Sequence, residues 1–163
     1  MILSSVHYIL DDSIYLESDF VSRFKIPFLG MMTCNNSEVC KQELRDNLNY
    51  LLKEDFGYYL AFSVMGNKGA GVEKTDTQEK LLNEIKRLSD KVEGIFSLQG
   101  EDLEKLRLSN GVIIMFPWGS KNGNLLEKTL SFLEKQDITV KGVIVYDAEE
   151  KFLKKYYNTK SNR

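Results

Sequence analysis

A glycine-rich stretch in the middle of the chain has the residue types that bind phosphate. Residues 58–75 are YYLAFSVMGNKGAGVEKT, an apolar run and then glycines that lead to a lysine and a threonine before a predicted helix. Glycines let backbone N–H groups approach phosphate oxygens, and a helix N-terminus adds positive potential. In such loops the lysine contacts phosphates and the hydroxyl holds Mg²⁺. The candidate ligand-binding residues in this stretch are Gly66, Lys68, Gly69, Gly71, Lys74 and Thr75.

The spacing of this stretch differs from the Walker pattern, in which a glycine directly precedes the lysine. Glu73 stands at that position, so a carboxylate would face phosphate oxygens and a side chain would replace the glycine. A flexible glycine loop that ends at Asp76, a good helix cap, explains the same residues. Phosphate binding and a merely structural loop are therefore both open.

The single tryptophan lies next to a second glycine-containing loop. Trp118 follows the apolar run 112–116 and Pro117, and Gly119 and Gly123 follow it. Open α/β sheets bind ligands beyond the carboxyl ends of their strands, so this ring could stack on a ligand or cover the sheet edge. We expect the two glycine loops to share one edge of the sheet and to form its best candidate cleft.

Cysteine and histidine are too few for the common metal and nucleophile sites. Cys34, Cys40 and His7 are the only residues of these types, whereas a structural zinc site needs about four such ligands. His7 lies in a predicted strand, which favours a structural role. Cys40 is on an apolar helical stripe with Leu44 and Leu48, so we expect it to be buried and unbridged. No metal site and no catalytic residues are predicted.

Charge and hydropathy narrow the partners. The chain has 22 basic and 24 acidic residues, a net charge of −2, which makes nucleic acid an unlikely partner. No stretch approaches the roughly 18 apolar residues of a membrane span, and the first ten residues lack the basic start of a signal peptide. These patterns predict a soluble cytoplasmic protein without membrane contact, whose partner is an unknown protein or a second copy of the chain.

Apolar runs alternate with helix-period segments along the whole sequence. The runs 58–65, 112–116 and 139–146 are apolar without alternation, as in strands buried on both faces, and we expect them to be parallel neighbours. The fold class is α/β, a single three-layer domain at 1–157 with a largely parallel sheet of about five strands. Residues 1–57 are either part of it or an appended strand and helix element, and 158–163 form a frayed polar tail. Predicted strands are 6–10, 25–32, 58–65, 92–98, 112–116 and 139–146; predicted helices are 37–53, 77–91, 101–108, 124–135 and 148–157.

Residues 58–147 resemble dethiobiotin-synthetase-like proteins, which belong to the P-loop NTPase group that includes septum-site and partition ATPases. The stretch VIIMFPWGSKNGNLLEKTLSFLEKQDITVKGVIVYD at 112–147 is similar to their C-terminal half, with a buried strand, a glycine loop, a helix and a strand with an internal glycine. Val92-Glu93-Gly94 is similar to the V-E-G that ends the family's Walker-B-type strand. The matching positions are 111–116, Asn124, Thr129, Leu130, Ile138, 142–145 and Asp147. The resemblance implies the fold of that family.

Two hypotheses of different classes follow. The first ranked is a non-catalytic interaction or assembly protein on a P-loop-like scaffold, favoured by Glu73 and by Tyr146, which stands where the family has a base-contacting asparagine. The alternative is a domain that binds a nucleotide or another phosphorylated ligand through a degenerate P-loop with little or no hydrolysis. In that case Lys68, Lys74 and Thr75 contact phosphate and Trp118 lines the pocket. No cofactor is predicted except, under this alternative, a nucleotide with Mg²⁺.

Overall fold

The computed structural model describes residues 17, 19–33, 38–62, 76–96, 103–119, 123–149 and 151. A short π-helix, Asp19–Phe24, precedes the first strand. Four helices and five strands then alternate. In chain order they are β1 Phe28–Met31, α1 Glu38–Leu51, β2 Tyr58–Phe62, α2 Asp76–Leu88, β3 Val92–Phe96, α3 Leu103–Arg107, β4 Gly111–Pro117, α4 Gly123–Lys135 and β5 Val140–Tyr146. The predicted strand 6–10 lies outside the described residues.

The five strands form one sheet in the order β1-β5-β4-β2-β3, and every neighbouring pair is parallel. β2, β4 and β5 are consecutive in this order, which confirms that the three apolar runs are parallel neighbours. Ile114 at the centre of β4 pairs with Ala61 of β2 and with Val143 of β5, and all three are buried. The sheet with its alternating helices is the predicted α/β class.

Helices cover both faces of the sheet, so the domain has three layers. On one face α1 and α2 pack against apolar side chains of all five strands, with Leu44, Leu48 and Ile85 at 0–1% exposure. On the other face α3, α4 and the π-helix pack against the alternate strand residues, with Phe20, Leu106 and Leu126 buried. The connections from β1 to β2 and from β2 to β3 run in one direction across the sheet, and their helices α1 and α2 lie on the first face. The connections from β3 to β4 and from β4 to β5 run in the opposite direction, and their helices α3 and α4 lie on the second face. A constant crossover hand requires this division.

β1 is shorter than the predicted strand 25–32 because two residues before it cannot join the sheet. Lys25 has a φ of 54°, which is outside the extended region, and Pro27 has no N–H to donate. The carbonyl of Pro27 still accepts a hydrogen bond from Val143 N at 2.9 Å. The regular pairing of β1 with β5 therefore begins at Phe28.

The inward stripe of α1 accounts for the buried cysteine. Cys40 is 2% exposed, one turn before Leu44, in agreement with the sequence prediction of a buried side chain. Apolar side chains at a spacing of four fall on one face of a helix. Within the described ranges, no helix has both the length and the apolar character needed to cross a bilayer.

Candidate ligand-binding site at the carboxyl edge of the sheet

The sheet order brings the ends of β2 and β4 together. Phe62, the last residue of β2, pairs with Met115, two residues before the end of β4. From there the chain leaves β2 toward β3 on one face and leaves β4 toward β5 on the other. Parallel sheets bind ligands in the crevice that such diverging connections leave between two strands. The edge between β2 and β4 is this topological switch point.

Both predicted glycine loops begin at the switch point. The first follows Phe62 directly, but its candidate residues lie outside the described part of the chain: Gly66, Lys68, Gly69, Gly71, Lys74 and Thr75. The second begins with Trp118 and Gly119, which are described. The expectation that the two loops start at one sheet edge agrees with the topology, whereas the contacts of the first loop stay a prediction.

Trp118 is fixed at the corner after β4. Its backbone N–H donates to the carbonyl of Tyr146 at 2.9 Å, which extends the β4–β5 ladder past Pro117. Its indole is half-buried and packs against the core on the α4 face. The next residue, Gly119, has a φ of 66°, a conformation that glycine adopts without strain, and turns the chain away. The ring is therefore held in place, and the side chain is only partly buried.

An arginine that the sequence analysis missed lies at the same corner. Arg23 of the π-helix donates from Nη2 to Oδ1 of Asn124 at 3.3 Å, and its guanidinium lies 4.9 Å from the ring centre of Phe24. Asn124 is in the first turn of α4, which contains no acidic residue. A guanidinium beside a helix N-terminus places two positive potentials together, and this arrangement attracts an anion.

The first turn of α2, on the opposite face of the sheet, carries negative charge. Asp76 and Glu79 both lie in its first turn, where carboxylates stabilise the helix dipole. These two charges oppose a phosphate at the N-terminus of α2. Of the two helix starts that flank the switch point, only that of α4 combines a nearby cation with a first turn free of acid among the described residues.

An aromatic pair borders the switch point on the α2 face. The rings of Phe62 and Tyr146 meet across the end of β4, with their centres 5.7 Å apart and their planes at 69°. Burial, and secondarily the charge of Asp147, raises the pKa of Tyr146, so its hydroxyl is a neutral hydrogen-bond donor at pH 7. Both side chains are half-buried. They lie on the α2 face of the sheet, whereas Trp118 packs on the α4 face.

Glu93 does not reach the carboxyl edge. Val92-Glu93-Gly94 begins β3 rather than ending it, and Val92 pairs with Tyr58, the first residue of β2. Glu93 instead accepts hydrogen bonds from the Tyr59 hydroxyl at 2.5 Å and from Gly57 N at 3.0 Å. The hydrogen bond raises the pKa of Tyr59 to about 12, with further contributions from burial and from the Glu93 charge. This carboxylate ties the loop before β2 to the sheet, at the edge away from the glycine loops.

Comparisons with known proteins give no second route to the function. No protein-family model, no curated protein and no solved structure matches the chain. Among the described residues, no three His, Cys, Asp or Glu side chains come together in a way that could hold a metal ion. A fold of this class hosts many unrelated activities, so a functional argument has to rest on the switch point itself.

Proposed function

We propose that the protein binds a phosphorylated small molecule at the switch point between β2 and β4, as a cytoplasmic P-loop-like or Rossmann-like domain. Binding without efficient hydrolysis is the function that the geometry supports best. The observation that supports it is the sheet order, which starts both glycine loops side by side at the one place where an α/β sheet leaves a crevice.

The distribution of charge supports an anionic ligand at this place. Arg23 brings a guanidinium to the first turn of α4, the helix that follows β4 and Trp118. The sequence places two lysines, Lys68 and Lys74, between β2 and α2, and under this proposal they contribute to holding the same anion. The planar part of a ligand such as a nucleoside would contact Trp118, because an indole beside a charged site provides a large apolar surface.

Intrinsic fluorescence tests the proposal directly, since Trp118 is the only tryptophan. The protein is titrated with inorganic phosphate, pyrophosphate, ATP and GTP, each with and without Mg²⁺. We expect at least one phosphorylated probe to change the emission, and a thermal shift at 100 times its dissociation constant corresponds to about 2.7 kcal/mol. No response to any probe in either assay would overturn the proposal.

Three variants and one control variant assign the response to residues. Arg23→Gln removes the cation of the α4 corner, and we expect it to weaken binding about tenfold, in the range of one charge-assisted contact. Arg87→Gln is the matched control, because Arg87 is exposed at the far end of α2 and pairs with Glu84, one turn away, at 3.0 Å. Lys74→Ala tests the first loop, and Glu73→Gly should strengthen binding if that loop holds phosphate. Equal losses from Arg23→Gln and Arg87→Gln would exclude a specific role for the α4 corner.

The interaction or assembly function remains the second candidate, and a different observation favours it. Two large apolar side chains, Phe56 and Leu108, are 68% and 85% exposed at the amino edge of the sheet. This edge is opposite to the switch point, so ligand binding and assembly use separate surfaces.

A further inference from the structure

The amino edge of the sheet exposes two large apolar side chains, Phe56 and Leu108. In the described part of the chain, large apolar side chains are strongly exposed at only four positions, Val21, Tyr50, Phe56 and Leu108. Phe56 lies two residues before β2 and Leu108 three residues before β4, so both are at the amino ends of neighbouring strands. Single exposed apolar side chains are common, but adjacent ones at the ends of paired strands indicate a contact surface.

Hydrogen bonds hold the two segments against each other. Asn110 Nδ2 donates to the carbonyl of Phe56 at 2.8 Å, and Asn110 N donates to the carbonyl of Gly57 at 2.8 Å. Gly57 has a φ of 84°, and its N–H is bound by Glu93. The surface is therefore preformed, and association does not have to order it first.

Charges of opposite sign flank the apolar pair. Glu54 and Asp55 are exposed immediately before Phe56; Lys53, which precedes them, places its ammonium 4.7 Å from the ring centre of Tyr50. Arg107 is exposed immediately before Leu108, and its guanidinium donates to the backbone carbonyl and the side-chain oxygen of Gln136. These acceptors are neutral, so they fix the position of the cation without cancelling its charge. The acidic and basic sides make the surface complementary to itself.

We propose that this surface, defined as Glu54, Asp55, Phe56, Arg107 and Leu108, binds a second copy of the chain across a two-fold axis. In an isologous contact each residue type meets its complement on the other copy. Phe56 packs against Leu108 of the partner subunit, and Arg107 faces Asp55 of the partner subunit. The apolar centre is small beside the roughly 800 Å² per partner of a stable interface, so the dimer forms at micromolar rather than nanomolar concentration.

Sedimentation velocity over a range of concentrations tests the proposal. We expect the parent to change from monomer to dimer between roughly 1 μM and 1 mM. Leu108→Ser should raise the dissociation constant at least tenfold, because it removes half of each apolar contact. Val21→Ser is the control, since Val21 is another exposed apolar side chain, at 51%, but belongs to the π-helix. A parent that stays monomeric at about 1 mM, or a Leu108→Ser variant that associates like the parent, would overturn the proposal.

A charge exchange distinguishes a second copy from any other occupant. Arg107→Glu and Asp55→Lys each place like charges opposite each other in the dimer, so each alone should weaken association. The double variant restores opposite charges across the two-fold axis and should recover the dimer. Circular dichroism confirms that each variant is folded. Weakening in both single variants without recovery in the double variant refutes the two-fold arrangement.

Discussion

The glycine in the middle of β5 permits the close approach of β1, and adding one methyl group there measures how closely the strands approach. Gly142 has an ordinary extended backbone, so alanine can adopt the same backbone conformation without strain. An alanine Cβ would lie 2.8 Å from the carbonyl oxygen of Pro27 and 2.9 Å from Cγ of Leu29. The leucine can rotate, but the carbonyl belongs to the backbone that enters β1. Relief therefore requires β1 to move away from β5.

The expected cost follows from two effects. Overpacking a tight interior position costs about 1–3 kcal/mol. A displaced β1 also weakens the hydrogen bond from Val143 N to Pro27 O, now 2.9 Å long, which is worth about 1 kcal/mol. Replacing a strand glycine by alanine returns about 0.5–1 kcal/mol through backbone entropy. We expect Gly142→Ala to lower the free energy of unfolding by about 2–3 kcal/mol, a large part of the stability of an ordinary domain.

Gly94→Ala is the matched control. Gly94 is also a strand glycine, in the edge strand β3, and its alanine Cβ would meet no atom of the described chain within 4 Å. This variant should be as stable as the parent or up to about 1 kcal/mol more stable. Urea unfolding followed by circular dichroism gives both values, provided that the m-values agree. Equal stability of Gly142→Ala and Gly94→Ala would refute the inferred close approach of β1.

Three further predictions concern the interior. Tyr59→Phe should cost about 1 kcal/mol at neutral pH by removing the hydrogen bond to Glu93. The folded pKa of about 12 exceeds the unfolded value of 10, so the parent should lose this stabilisation as the pH rises from 10 to 12 in alkaline unfolding curves. Tyr146, whose pKa is also raised, contributes to both proteins, so a loss in Tyr59→Phe as large as that in the parent would contradict the assignment. In a Cys34→Ala background, the thiol of Cys40 should react with a thiol reagent only as fast as the protein opens; rapid native-state modification would contradict its burial. Leu48→Ala should lower the free energy of unfolding in urea by about 3–5 kcal/mol, whereas Tyr50→Ala, on the exposed face of α1, should lower it by less than about 1 kcal/mol. Similar losses in the two variants would contradict the inward stripe of α1.

Much of the fold could be predicted because it depends on local composition. β4 and β5 are apolar on both faces, and this composition is typical of strands that helices cover on each side. Their predicted parallel pairing is confirmed. The order of the strands in the sheet, in contrast, does not follow from local composition. β1 pairs with β5 rather than with β2, its neighbour in sequence, and no periodicity distinguishes these two partners. The start of β1 depends on the φ of Lys25, which a sequence pattern does not reveal.

The candidate site was predictable only where it follows from the ends of strands. Trp118 could be placed at the carboxyl edge because Pro117 ends an apolar run. Arg23 could not, since its contact with Asn124 joins residues 101 positions apart and a π-helix has no simple sequence pattern. Glu93 was matched to the end of a strand, whereas it begins one, because the edge that a side chain occupies depends on strand boundaries that composition locates only within a few residues.

The pairing of β1 with β5 also has a consequence for synthesis on the ribosome. Phe28 has its partner Val143 about 115 residues later in the chain. At roughly 5–20 residues per second, β1 waits roughly 6–23 s after it emerges before its partner exists. During that interval its four buried residues lack their partner in the described sheet, whereas β2 and β3 can pair as soon as β3 is complete. Among the described strands, assembly therefore starts at β2, and β1 enters the sheet last.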